Sequence, residues 1–177
     1  YQWVTIPLEL HGCVALKDGT LVNVVIGNDK NDPLFTITDL LPHLSADQNR
    51  RTLAEGITGE GLNLIIGSIP DSAEGKDRVK LHILTILHEK YGITEEDFLS
   101  AELMAVPAFE ARDLGLDRSL IGAYGQDDRV CAYASLRAIL DVNAPEYTCI
   151  CILADKEEIG SEGVTGMQSE AFECFMD

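Results

Sequence analysis

The apolar and polar positions of this 177-residue chain change period several times, and each change marks an element. Residues 3–16 are apolar and β-prone, Lys17-Asp18-Gly19-Thr20 has turn chemistry, and Leu21-Val22-Asn23-Val24-Val25-Ile26 resumes the strand pattern. A β-hairpin is predicted, with Pro7 arguing for an edge or a bulge in its first strand. After the turn residues 28–33, Leu34-Phe35-Thr36-Ile37 reads as a short strand, residues 38–49 as loop or a helical turn around Pro42-His43, and residues 62–69 as another strand. The clearest helix runs over 77–91, where Val79, Ile83, Ile86, Leu87 and Tyr91 recur at three- and four-residue intervals. Gly92 ends it as a left-handed cap, and Thr94-Glu95-Glu96-Asp97 opens a further helical turn.

Residues 99–108 read as a strand and 109–120 as a charged loop. Beyond them the pattern becomes helical over 128–142, then a near-continuous apolar strand over 147–154, then a polar turn over 155–161. Apolar runs of that kind belong to parallel or mixed sheets covered by helices. The expected fold class is α/β (α+β overall), with a soft boundary near residue 108 between a β-rich unit (1–108) and part of an α/β layer (109–177).

Composition narrows the classes. Hydrophobic residues make up 46% and charged residues 24%, which sets wholesale disorder aside. The formal net charge of −17 disfavours nucleic acid and anionic membrane as partners, and no apolar run approaches the ~20 residues needed to span a bilayer. The five cysteines, Cys13, Cys131, Cys149, Cys151 and Cys174, are odd in number and contain no CxxC pair, so reduced thiols in a cytoplasmic protein are expected rather than a cysteine zinc site. The chain opens on Tyr1 with no charged-then-apolar signal segment, and residues 168–177 look like a helix just beginning to pack. Both ends read as cuts through a longer protein.

Two constellations carry chemistry. Gln126-Asp127-Asp128-Arg129 stands at the start of the second helix, where a carboxylate caps free amides in the plainest reading. Asp155-Lys156-Glu157-Glu158-Ile159-Gly160-Ser161 follows the apolar strand, at the end where α/β sheets place ligand crevices, although a solvated acidic turn reads the same way. Taken together, carboxylates from the two junctions suit a divalent-metal hydrolase in which one acid ligates and another deprotonates water.

These motifs, with Ser161-Glu162-Gly163 and Gly166-Met167-Gln168-Ser169 after them, closely resemble the aspartyl aminopeptidase family of co-catalytic dizinc metallopeptidases. The segment before residue 108 is similar to that family's inserted dimerisation domain. The resemblance therefore covers essentially the whole chain, as dimerisation domain plus part of the catalytic domain. It implies two zinc ions per active site, Asp127 as the carboxylate bridging them, Glu158 as a terminal ligand and Glu157 as the general base. It also implies an unusual peptide geometry between Asp127 and Asp128. His43, in Leu40-Leu41-Pro42-His43-Leu44, matches a family histidine that reaches into a neighbouring subunit's active site and stabilises the reacting carbonyl; otherwise it is a loop histidine without a partner. His11, His82 and His88 have no motif support.

The family's upstream His-x-Asp motif, further carboxylate ligand and final histidine are not in this sequence. That leaves two protein ligands where a zinc site takes at least three, so zinc retention by this chain alone is not expected. The implied parent cleaves N-terminal residues from peptides and assembles as a homo-oligomer of dimers and tetrahedral dodecamers. The competing expectation is a non-catalytic oligomerisation module whose acidic motifs are vestigial.

Overall fold

A computed structural model describes residues 4–177. Trp3, at the start of the predicted hairpin, lies outside the described residues. The chain divides into two compact units, Tyr1–Arg112 and Asp113–Asp177.

The first unit is built on a three-stranded antiparallel sheet. Strands β1 (Leu8–Ala15) and β2 (Leu21–Ile26) form the predicted hairpin, and β3 (Ala101–Pro107) pairs with the other side of β1, giving the order β2-β1-β3. The strand containing the Pro7 approach is thus central, not an edge. Pro7 avoids the conflict because it stands just before the ladder, where a missing N–H costs nothing and its carbonyl accepts the Ala108 N–H at 3.0 Å. Strand alternation sends Leu10 and Val14 of β1, Val24 and Ile26 of β2 and Leu103 of β3 to one face, where they pack with Ile93. Among the described residues Val14, Val24 and Ile93 are the largest side chains that are fully enclosed.

Helix α1 (Arg78–Tyr91) lays Leu87 and Tyr91 against that core, and the Tyr91 hydroxyl donates to the Val25 carbonyl at 3.2 Å. Gly92 ends it in the left-handed region at φ 72°, as its sequence position predicts. The predicted turn after it is 3₁₀, over Glu95–Ser100. A second small cluster of Val4, Leu8 and Ile37 seats the 34–37 segment, but that segment and the 62–69 run do not become strands. They make single antiparallel bridges, Leu8 with Phe35 and Ile37 with Leu64, and Ile65, Ile66 and Ile69 stay exposed. Without a continuous ladder partner an apolar run has nowhere to place its backbone hydrogen bonds in a sheet.

In the second unit the predicted loop 109–120 contains strand β4 (Arg112–Leu114), which pairs with β5 (Leu120–Gly122). Helix α2 (Gln126–Asp141) follows, and a last helix α3 (Glu170–Met176) starts after Ser169. The predicted strand over 147–154 is not formed. The segment is irregular, and only Asp155 at its end makes a bridge, in parallel with Gly166. Its residues Ile150, Cys151 and Ile152 lie across a shallow groove of about 360 Å³ from Ser135, Ile139 and Val142. Among the described residues no strand pairs with it, and no α2 side chain is buried. Overall the described residues combine helices with antiparallel sheets, in keeping with the expected mixed class. No described helix is long and apolar enough to cross a membrane.

Candidate metal centre

Asp127 and Asp128 lie at the irregular start of α2. Their backbone is non-helical, at φ −88°, ψ 113° and φ −113°, ψ 20°, and the peptide between them is cis, the unusual geometry that the motif resemblance implies. The capping reading does not hold. Gly125 occupies the N-cap position in the left-handed region at φ 73°, and no side chain bonds the free amides of the first turn. The start of the helix is instead tied back by its neighbours: Gln126 Nε2 donates to the Ile121 carbonyl at 3.1 Å, and the Arg129 guanidinium donates to the Gly125 carbonyl at 3.0 Å. Glycine at 125 serves this left-handed turn; the group a Cβ would meet is the mobile end of the Arg129 side chain, so it is the backbone conformation that asks for glycine. Both aspartates are exposed. The Cys131 thiol is pushed up by its hydrogen bond to the Asp128 carboxylate, then by the charge of Asp128, with burial and the charge of Asp127 adding to it.

Glu157 and Glu158 occupy one exposed 3₁₀ turn, Glu157–Ile159, which begins after Lys156 and ends at Gly160, both in the left-handed region. The turn is closed by Ile159 N–H to Lys156 O at 3.2 Å and Gly160 N–H to Glu157 O at 3.1 Å. Asp127, Glu157 and Glu158 thus share the second unit.

His43 belongs to the first unit, on an exposed turn closed by Leu44 N–H to Leu41 O at 2.8 Å. The buried Ser45 anchors that turn, its hydroxyl donating to the Pro42 carbonyl at 3.2 Å and accepting from Asn49 Nδ2 at 2.8 Å. Nearby, hydrogen bonds from Gln48 and then from the Leu40 amide hold the Asp39 carboxyl below its usual range. His82 and His88 lie on α1, half-buried and exposed respectively. His11 sits on β1 with Nε2 2.9 Å from Glu9 Oε1.

Carboxylates are suitable hard donors for a divalent cation, but the donor set is short. Among the described residues no group of three or more His, Cys, Asp or Glu side chains is arranged to hold a metal ion. The five cysteines are free. Sequence reasoning gave the Gly166–Ser169 motif no task, yet the Gln168 side chain bonds the loop that carries Glu157 and Glu158, as does the side chain of Thr165 just before the motif.

Comparison with known proteins gives a consistent result. The family model described as aminopeptidase I zinc metalloprotease (M18) matches residues 1–177. A probable M18 family aminopeptidase 1 of Clostridium acetobutylicum is 56% identical over 174 residues, covering 98% of this chain and 37% of that protein. Among solved structures, an M18-family aminopeptidase from Thermotoga maritima matches with a TM-score of 0.83 at 52% identity, covering 98% of this chain and 38% of that one. Aminopeptidase I from Clostridium acetobutylicum matches with a TM-score of 0.82 at 55% identity and the same coverage. The chain therefore spans about 38% of the length of the relatives it matches.

Proposed function

The chain belongs to the aminopeptidase I zinc metalloprotease (M18) family, and from that premise we propose that it is the middle portion of a zinc-dependent aminopeptidase. The parent removes N-terminal residues from peptides by metal-assisted hydrolysis. The observation that carries this reading is the pair Glu157-Glu158 on an exposed turn, in the same compact unit as the exposed Asp127 at the start of α2. In this reading Asp127 and Glu158 are the carboxylates the chain contributes to a centre of two zinc ions, and the remaining ligands come from the rest of the parent. Glu157 is the general base: it takes a proton from the water that adds to the scissile carbonyl and returns it to the leaving amine. His43, on its anchored turn, serves the active site of a neighbouring subunit by donating to the oxyanion that forms there.

Residues 1–108 then act as the dimerisation domain and 109–177 as part of the catalytic domain, within a homo-oligomer of dimers and dodecamers. A cytoplasmic location is part of this reading, in keeping with an odd number of cysteines and no CxxC pair. Neither nucleic acid nor membrane is a partner of this acidic chain. One observation favours the second reading, an oligomerisation module without catalysis: the buried apolar side chains among the described residues all lie at or before Ile93, in the first unit.

Full-length protein stripped of metal by a chelator and resupplied with zinc separates the two. The aminopeptidase reading predicts that hydrolysis of aminoacyl p-nitroanilides disappears and returns. Stable oligomers, seen by light scattering, that contain no metal and hydrolyse nothing before or after zinc addition favour the module.

A further inference from the structure

One turn of 3₁₀ helix has poor hydrogen-bond geometry and is marginal alone. The Glu157–Ile159 turn is held instead by the segment that follows it. Ahead of the turn, Thr165 Oγ1 donates to Asp155 Oδ2 at 2.7 Å, and Asp155 bridges Gly166 in parallel. Behind it, the Gln168 side-chain amide donates to the Gly160 carbonyl, and the Gln168 backbone N–H donates to the Ser161 carbonyl at 3.1 Å. Ser161 in turn donates its N–H to the Lys156 carbonyl at 2.7 Å, which closes the loop on itself. The two strands of this clasp meet at Gly166, where a Cβ would lie 2.0 Å from the Ser161 carbonyl oxygen.

We propose that Gln168, supported by Thr165, is a positioning residue for Glu157 and Glu158: its carboxamide holds the Gly160 carbonyl and thereby fixes the turn from which both carboxylates project. The proposal rests on the reading of these two acids as site residues. The clasp needs a donor at residue 168, because Gly160 offers a carbonyl. Glutamine supplies one, whereas an ionised glutamate of the same shape supplies none. Small displacements of a base cost large factors in rate while leaving the substrate's distant contacts intact. The signature is therefore a loss in kcat with KM retained.

The test uses full-length protein carrying Gln168→Ala, Gln168→Glu or Thr165→Val, assayed on aminoacyl p-nitroanilides, with amide exchange followed across residues 156–161. Both Gln168 variants are expected to lose about tenfold or more in kcat, within the range for residues that orient site ligands, while KM stays within about twofold. Exchange at residues 160 and 161 rises, and the melting temperature stays at the wild-type value. Wild-type kcat and exchange in both Gln168 variants, with an active wild-type enzyme, overturn the proposal while leaving the aminopeptidase reading intact. A wild-type protein that hydrolyses none of the substrates defeats the underlying reading, and the proposal with it. If Gln168→Ala does not fold, Thr165→Val decides: a several-fold loss of kcat at constant KM supports the clasp, and an unchanged kcat overturns it.

Discussion

The carboxylate of Asp97 accepts the backbone N–H of Lys17 at 3.1 Å across a separation of 80 residues. It also accepts the Thr94 hydroxyl at 2.7 Å and the Thr94 backbone N–H at 2.8 Å. One side chain therefore ties the β1–β2 turn to the segment that leads into β3. The Thr94 hydroxyl, then the Thr94 amide, and then Lys17 hold this carboxyl below its usual value of 3.8. A carboxyl lowered in the folded state stabilises the fold above its unfolded value, and that contribution is lost as the pH falls through the folded value. Wild-type chain is thus expected to be more stable than Asp97→Asn at pH 6, with the difference shrinking below about pH 3.8. Urea midpoints of the two proteins between pH 6 and pH 3 check this; a difference that grows toward acid contradicts it.

Gly12 sits in the central strand at φ 155°, and a Cβ there would lie 2.0 Å from the Glu102 carbonyl oxygen of β3. That neighbour is backbone held in a ladder, so it cannot yield as a flexible side chain would. Gly12→Ala should destabilise the chain by about 3 kcal/mol, at the upper end of overpacking costs. Chemical denaturation measures it, and a change near zero would mean that β1 and β3 separate more easily than their register implies.

Ile93 is 2% exposed and lies directly after the Gly92 cap, where it plugs the cluster of Val14, Val24 and Ile26. Ile93→Ala leaves a cavity and should cost about 3 kcal/mol, whereas Ile93→Val should cost about 1 kcal/mol. Equilibrium unfolding of the two variants orders them. Equal small losses would show that α1 closes over the gap.

The 177-residue chain, expressed alone, should retain far less zinc than the full-length protein, because its donor set falls short of three ligands. Metal analysis after gel filtration gives the comparison. Stoichiometric zinc in the isolated chain would mean that its own carboxylates converge more closely than the two-ligand account allows.

The hairpin, α1 with its Gly92 cap, β3 and α2 were legible because each carries its own signal, either a period matched to its secondary structure or a turn residue at the right offset. The acidic motifs were legible for another reason: the combination Glu157-Glu158-Ile159-Gly160-Ser161-Glu162 with Gly166-Met167-Gln168-Ser169 is specific as a set of letters. What failed were the apolar runs at 62–69 and 147–154. Hydrophobicity marks a segment as wanting burial, but a strand also needs a ladder partner, and the residues described offer neither run more than a bridge. The opposite error hid β4 and β5, whose three-residue strands are too short to show alternation. The tethers at Asp97 and Gln168 were missed because they are side-chain to backbone bonds, fixed only once the chain has folded back on itself.

The central claim is that Glu157 acts as the base of a metal-assisted peptidase, and Glu157→Gln in the full-length protein tests it most directly, since it removes the base without removing a ligand. The account predicts wild-type zinc content with turnover of peptide substrates reduced by roughly two to four orders of magnitude. Unchanged hydrolysis at unchanged zinc content would contradict it.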